Sequence, residues 1–134
     1  MESIKQAVLA NEADLGIIFD TDVDRSAVVS ASGTVINRNN LIAVLSTIVL
    51  KEHPGTRIVT NSPTSSHLQR FIEEKGGIQV RYISGYRNVI NKALELNRLG
   101  KDTQLAIETS GHAAFKENYF LDDGAYVIAK ILML

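Results

Sequence analysis

The sequence contains no cysteine, and only two of its 134 residues are proline. Without cysteine there can be no disulfide framework and no thiolate metal site, and the composition is compatible with a reducing compartment. An excess of charge of one sign is also missing, because fourteen Lys and Arg residues stand against fifteen Asp and Glu residues and leave a formal net charge of −1. A protein that neutralises nucleic-acid phosphates carries a strongly basic surface, so we expect no nucleic-acid partner.

Long apolar segments are absent as well. The longest run, over residues 41–50, is interrupted by Ser46 and Thr47, and it is too short for a bilayer, which needs about 20 residues. Charged residues interrupt the N-terminal stretch, unlike in a signal peptide. We therefore expect a soluble, cytoplasmic chain with no membrane partner. Its length suits one compact domain, or one domain with part of a neighbour.

Apolar residues recur in short runs and at helical spacing along the chain. The N-terminal part predicts a short helix ending near Asn11, a strand over 15–19 buried on both faces, and a hairpin around Ser32-Gly33. From residue 41 onward, the predicted order is helix, strand, helix, strand, helix, strand, loop, helix. Two of the predicted helices begin at the caps Asn39-Asn40 and Ser65-Ser66, and the other two cover 88–99 and 124–134. The predicted strands are 57–60, 78–83 and 105–107, and the predicted loop is 108–116.

This alternation favours the α/β class, with a layered, mixed but mainly parallel sheet between helices. Residues 1–37 break the pattern with a short strand–loop–hairpin segment, which we interpret as a piece of a neighbouring domain. Open α/β sheets bind ligands at the carboxyl ends of their strands. The loops that begin at Asp20, Asn61, Ser84 and Glu108 follow strands directly, so functional residues are expected there.

Three carboxylates follow the first strand at alternate positions: Asp20, Asp22 and Asp24, with Arg25 next to them. Their mutual repulsion is relieved most simply by a cation, and oxygen ligands in a tight loop suit a hard ion such as Mg²⁺. A guanidinium beside such a loop is well placed for a phosphate that also touches the metal. A solvated acidic turn explains the carboxylates about equally well.

A second motif, Glu108-Thr-Ser-Gly-His112, stands at the end of a predicted strand. The carboxylate of Glu108 and the hydroxyl of Ser110 could hydrogen-bond vicinal sugar hydroxyls, and His112 could carry a proton near neutral pH. By itself this motif is weak, because ordinary turns have similar composition and histidines are often structural.

Two further segments have both a functional and a structural interpretation. In Ser84-Gly-Tyr-Arg87, Arg87 either contacts a phosphate or sugar, or is simply a solvated arginine beside a turn glycine. In Asp122-Asp-Gly124, the carboxylates either cap the last helix or belong to an acidic site, and a cap is the better explanation.

Together the segments Phe19–Arg25, Gly85–Arg87, Glu108–His112 and Phe115–Gly124 form an ordered set. The set resembles the α-D-phosphohexomutase family, which includes phosphoglucomutase and phosphomannomutase. The similarity runs from about Leu15 to the C-terminus, and the four motifs lie on the loops where chemistry is expected.

The resemblance implies an internal fragment of a four-domain enzyme, an isomerase that moves a phosphoryl group within a hexose phosphate. Residues 1–37 would be the C-terminal part of domain II with the metal-binding loop, and residues 38–134 would be domain III with the sugar-binding loop. A phosphoserine would give its phosphoryl group to the hexose monophosphate, and the resulting bisphosphate would reorient and return the other one. The partners would be the hexose phosphate and the remaining domains.

The resemblance also implies roles for individual residues. Asp20, Asp22 and Asp24 would bind Mg²⁺ together with a phosphoserine oxygen, and Arg25 would contact the transferring phosphate. In the other loops, Glu108 and Ser110 would hydrogen-bond sugar hydroxyls, and His112 would carry the proton. Arg87 would make an electrostatic contact with the substrate.

Two departures from the family pattern matter. The phosphoserine loop, typically Thr-Ala-Ser-His-Asn-Pro, is absent, so the chain by itself is expected to lack mutase activity. Members often carry Lys or His near the turn that holds Arg87, which is always protonated and cannot be an ordinary base.

Two alternatives stay open at this point. One is a haloacid-dehalogenase-like phosphatase, in which Asp20 and Asp22 would be nucleophile and acid. The other is a non-catalytic module that binds a sugar phosphate.

Overall fold

The computed structural model of the chain describes residues 2–19, 26–36 and 38–133. Among these, no helix is long and apolar enough to cross a membrane. The regular elements in chain order are α1 (Glu2–Ala10), β1 (Leu15–Phe19), β2 (Ser26–Ser30), β3 (Val35–Ile36), α2 (Arg38–Glu52), β4 (Arg57–Asn61), α3 (Ser66–Glu74), β5 (Ile78–Tyr82), α4 (Tyr86–Arg98), β6 (Thr103–Ile107), β7 (Ala113–Phe115), a short 3₁₀ helix (Lys116–Asn118) and α5 (Gly124–Leu132).

The larger sheet has four strands in the order β5-β4-β6-β7. Strand β4 pairs in parallel with β5 and β6, whereas β7 runs antiparallel to β6. The prediction of a mixed, mainly parallel sheet is therefore confirmed. The prediction that 108–116 is entirely a loop is wrong, because residues 113–115 form β7. A strand of three buried residues is too short to show a periodic pattern in the sequence.

Helices cover both faces of this sheet. Along β4 and β6 successive side chains point to opposite faces, so Ile58 and Leu105 join one core while Val59 and Ala106 join the other. The first core is built with side chains from α2, α3 and α5, and the second with side chains from α4. The layered arrangement predicted from the alternation of elements follows from these two cores.

The N-terminal residues form a separate antiparallel sheet in the order β1-β2-β3, as the hairpin around Ser32-Gly33 predicted. Helix α1 packs closely on it, because a Cβ atom at Gly16 would overlap the Val8 side chain. The expectation that the first strand is buried on both faces is wrong, because Leu15 and Ile17, which share one face of β1, are only half-buried. Strand β2 also contacts α5 of the larger unit.

The predicted helix starts were partly right. Ser65 caps α3 as predicted, since its Oγ accepts a hydrogen bond of 3.1 Å from the Leu68 backbone N–H. Helix α2, however, begins at Arg38, so Asn39 lies inside the helix and does not cap it. Its side-chain oxygen accepts from the Ser65 backbone N–H at 3.2 Å. That contact ties the start of α2 to the start of α3, which only the folded chain brings together.

Lys130 on α5 is a buried cation with two acidic partners. Its Nζ donates to Glu52 Oε1 at 2.6 Å and to Glu117 Oε1 at 2.8 Å, and its side chain is 7% exposed. Burial lowers the pKa of Lys130, but the hydrogen bonds and charges of Glu117 and Glu52 outweigh it, and the pKa is raised. The ammonium therefore stays charged, and its contribution to stability is lost only as the pH rises above the ordinary lysine value of 10.5.

We expect the double change Glu52→Gln and Glu117→Gln to destabilise the fold more than Lys130→Met. The first leaves a buried cation with weaker acceptors, at a cost of about 2–3 kcal/mol. The second leaves two carboxylates that water can solvate and should cost about 1 kcal/mol. Urea unfolding at neutral pH measures both, and an equal or larger loss in Lys130→Met would contradict the prediction.

Candidate functional site

The carboxyl ends of β4 and β6 mark the point where the strand order reverses. The chain passes from β4 to β5 on one side and later returns to β6 on the other, and such a switch point opens a crevice at the ends of the strands. Asn61 ends β4 and faces Thr109 beyond β6. Its Nδ2 donates to Thr109 Oγ1 at 2.9 Å, and the Thr109 backbone N–H donates to Asn61 Oδ1 at 3.1 Å. This pair fixes the two strand ends relative to each other.

Glu108 connects two of the loops that the sequence singled out. It follows β6 directly, is 5% exposed, and its Oε2 accepts a hydrogen bond of 2.7 Å from the Gly85 backbone N–H. Gly85 has a backbone φ of 125°, a conformation that residues other than glycine rarely adopt. The β5–α4 turn is therefore held against the start of the β6–β7 turn by a buried carboxylate, and one oxygen of that carboxylate lies outside this contact.

The segment from Glu108 to His112 is the tight turn of the β6–β7 hairpin. The Glu108 backbone N–H donates to the His112 carbonyl at 2.8 Å, and that of Gly111 donates to the Glu108 carbonyl at 3.1 Å. Ser110 lies exposed at the tip. These bonds define the turn, so Gly111, with φ of 103°, closes a hairpin within the segment that was predicted to be a loop.

His112 is held on two sides. Its Nδ1 lies 2.5 Å from Asp122 Oδ2, and the ring of Tyr86 stacks on the imidazole with centroids 4.8 Å apart and planes inclined by 24°. The other oxygen of Asp122 accepts from the Ala113 backbone N–H at 3.2 Å. The imidazole is 16% exposed and the carboxylate 11%, so most water is excluded from the contact between them.

Arg87 stands at the exposed rim of the same region. Its Nε donates to the Tyr86 hydroxyl at 3.3 Å, and its guanidinium lies 5.9 Å from the centre of the Tyr86 ring. The hydrogen bond to Tyr86 is the main cause that raises the pKa of Arg87 further above its ordinary value. A permanently charged, exposed guanidinium can contact a phosphate but cannot accept a proton.

The structure thus brings Glu108, Ser110, His112 and Arg87 to one edge of the larger sheet. The predicted metal loop with Asp20, Asp22, Asp24 and Arg25 lies outside the described residues. Within 2–19, 26–36 and 38–133, no group of three or more His, Asp or Glu side chains could hold a metal ion. The donor set of that loop, three carboxylates, fits Mg²⁺ by its chemistry.

Sequence reasoning missed three residues of this region. The loop that begins at Asn61 was expected to hold functional residues, and Tyr86 lies in the segment Ser84-Gly-Tyr-Arg87. No role was predicted for either residue itself. Of the two carboxylates predicted to cap the last helix, Asp123 is the one that does so, since its Oδ1 accepts from the Ala125 and Tyr126 backbone N–H groups. Asp122 does not cap the helix but meets His112 ten positions away, a contact that no local signal in the sequence indicates.

A family model, related sequences and a solved structure all relate this chain to the same family. Residues 37–134 match the model described as phosphoglucomutase/phosphomannomutase, alpha/beta/alpha domain III. The chain is 36% identical over 126 residues to a phosphomannomutase/phosphoglucomutase of Pseudomonas aeruginosa, covering 93% of the chain and 26% of that protein. A Methanocaldococcus jannaschii phosphomannomutase is 33% identical over 121 residues, covering 90% of the chain and 26% of that protein.

A solved structure gives the same result. The crystal structure of a phosphoglucomutase/phosphomannomutase family protein from Burkholderia thailandensis superposes with a TM-score of 0.88 at 32% identity. That match covers 98% of this chain and 28% of the other. The chain therefore spans about a quarter of the length of the relatives that it matches.

Proposed function

Because the chain belongs to the phosphoglucomutase/phosphomannomutase family, we propose that it is an internal part of a phosphohexomutase. The reaction would be intramolecular phosphoryl transfer on a hexose phosphate through a phosphoserine and a bisphosphate intermediate. The full-length protein to which we propose that this chain belongs is called the parent protein below. The other domains of the parent protein would supply the phosphoserine, since its loop does not occur in these 134 residues.

The proposed division places residues 1–37 in domain II and residues 38–134 in domain III. Two observations support it. The family model for domain III matches residues 37–134, and the small antiparallel sheet of β1, β2 and β3 is separate from the four-stranded sheet. The metal-binding loop and the sugar-binding loop would then come from different domains, so that the reaction takes place between them.

Glu108 and Ser110 are the proposed sugar ligands. A carboxylate that is almost fully buried needs partners, and Gly85 supplies one for Oε2. Vicinal sugar hydroxyls would be suitable donors to the carboxylate in the crevice, and the exposed Ser110 could add a further hydrogen bond. Arg87, at the rim, would balance the charge of a phosphate on the same substrate.

His112 is the proposed proton carrier and Arg25 the proposed contact to the transferring phosphoryl group. Phosphoryl transfer depends mainly on positioning and on neutralising charge. Mg²⁺, when held by Asp20, Asp22 and Asp24, would supply a Lewis acid at the phosphoryl oxygens. The described residues would orient the sugar and supply the imidazole of His112, whose position is fixed by Asp122 and Tyr86.

One observation carries this proposal for the site: the 2.7 Å hydrogen bond between Gly85 N–H and the buried Glu108 carboxylate. It joins two of the four family-like segments at the edge of the sheet where ligands bind. The family match over residues 37–134 argues against a haloacid-dehalogenase-like phosphatase. A non-catalytic sugar-phosphate module remains an outcome of the test below.

The test compares the 134-residue chain with the parent protein in the presence of Mg²⁺. We expect the parent protein to interconvert glucose 1-phosphate and glucose 6-phosphate, or the mannose phosphates, and the isolated chain to show no turnover. Turnover by the isolated chain would contradict the expected inactivity. Binding of glucose 6-phosphate without turnover in the parent protein would favour the module, and hydrolysis of p-nitrophenyl phosphate that Asp20→Asn abolishes would favour a phosphatase.

A further inference from the structure

His112 and Asp122 form a short, partly buried contact for which the proposed function does not account. They lie ten positions apart in the sequence, on either side of β7, and their side chains are 16% and 11% exposed. Nδ1 of His112 and Oδ2 of Asp122 are 2.5 Å apart, so close that a hydrogen must lie between the two atoms.

The chemistry of the two groups sets the position of the proton. An ionised carboxylate has only acceptor sites, so the ring nitrogen that faces it must be the one that carries hydrogen. With hydrogen on Nδ1, Nε2 is the unprotonated nitrogen of the neutral ring. A ring with the opposite tautomer would place two acceptors against each other at this distance.

Both partners are themselves held in place. Asp122 Oδ1 accepts from the Ala113 backbone N–H at 3.2 Å, and the backbones of Asp122 and Ala114 form an isolated β-bridge. On the other side of the contact, the Tyr86 ring lies nearly parallel to the imidazole. The orientation of the ring is therefore fixed by a carboxylate at its edge and an aromatic ring at its face.

We propose that Asp122 is a positioning residue, which holds His112 as the Nδ1–H tautomer so that Nε2 is the atom that exchanges a proton with the sugar hydroxyl. Tyr86 stacks on one face of the ring and limits its rotation. This inference rests on the proposed function for the identity of the proton donor. The tautomer itself is a property of this chain alone.

The first measurement is the tautomer of His112 in the ¹⁵N-labelled 134-residue chain, by long-range ¹H–¹⁵N correlation at mildly alkaline pH. We expect Nδ1–H in the unchanged chain and a shift toward Nε2–H in Asp122→Asn. Asp123→Asn is the matched control, because it makes the same chemical change one residue away and asparagine still caps a helix. It should leave the tautomer unchanged.

The second measurement is activity in the parent protein. Asp122→Asn should lower kcat by at least about 10-fold, the lower end of what removing the group that orients a metal-bound histidine costs, with little change in KM. Asp123→Asn should keep the activity of the unchanged protein.

The outcomes separate the two proposals. An Nε2–H tautomer in the unchanged chain would overturn the role of Asp122, whether or not the variant folds. A shifted tautomer with unchanged kcat would also overturn it. A parent protein without mutase activity would instead overturn the proposed function, while the tautomer would still show whether Asp122 orients the ring.

Discussion

Replacing His112 by alanine in the parent protein is expected to lower kcat by about 10²- to 10⁴-fold, the usual contribution of a positioned acid–base group. The imidazole is the proposed proton carrier, and the structure holds it between Asp122 and Tyr86. Among the other polar side chains at this edge, Arg87 cannot give up its proton and Ser110 is an ordinary hydroxyl, while the Glu108 carboxylate is engaged by the Gly85 backbone N–H. KM should change much less, since Glu108 and Ser110, not His112, are the proposed sugar ligands.

His67→Ala is the matched control for this experiment. His67 is an exposed residue on α3, so its loss should leave kcat within about 2-fold, as expected for a surface change away from the site. Added imidazole should restore part of the activity of His112→Ala, because a small base can enter the space that the side chain leaves. A variant that keeps more than about a tenth of the kcat would show that His112 is not the proton carrier.

Phe115→Ala is expected to destabilise the chain by about 3–5 kcal/mol, which is the usual cost of removing a buried aromatic ring. Phe115 is 2% exposed and is the largest of the fully buried side chains of the described residues. Its ring lies 5.5 Å from that of Tyr126, and it pairs with Leu105 across the β6–β7 ladder. The truncated side chain would leave a cavity between α5 and the sheet.

Urea unfolding of the 134-residue chain measures this loss as a lower midpoint at an unchanged slope. Tyr119→Ala is the control, because Tyr119 is 86% exposed and its removal should cost less than about 0.5 kcal/mol. If Phe115→Ala cost less than about 1 kcal/mol, β7 would not depend on this ring. Because β7 begins one residue after His112, the same variant should also broaden the NMR signals of that imidazole.

Much of the fold could be predicted from the sequence because its signals are local. The buried strands around Ile58 and Leu105, the amphipathic helices, and the caps Ser65 and Asp123 all arise from residues close together in the chain. The same local patterns failed where a neighbour in space decides the result. Strand β7 is one such case. The start of α2 at Arg38 is another, because the Asn39 side chain accepts a hydrogen bond from Ser65 at the start of α3 and does not cap its own helix.

The candidate site shows the same division. The sequence singled out Glu108, His112 and Arg87, because they follow strands directly, where open α/β sheets bind ligands, and because their segments resemble family motifs. It could not show that Glu108 holds the Gly85 turn, or that Asp122 and not Asp123 meets His112. The roles proposed for Asp20, Asp22, Asp24 and Arg25 still rest on the sequence alone.

The amino-acid sequence by itself determined the class of fold, the family resemblance and the set of polar residues at the strand ends, since each depends on residue type and on spacing along the chain. Only the tertiary structure decided which of those residues touch. The reason is that hydrogen bonds of 2.5–2.7 Å, such as those of His112 and Glu108, join segments 10 and 23 positions apart whose approach is set by the packing of β6, β7 and α4.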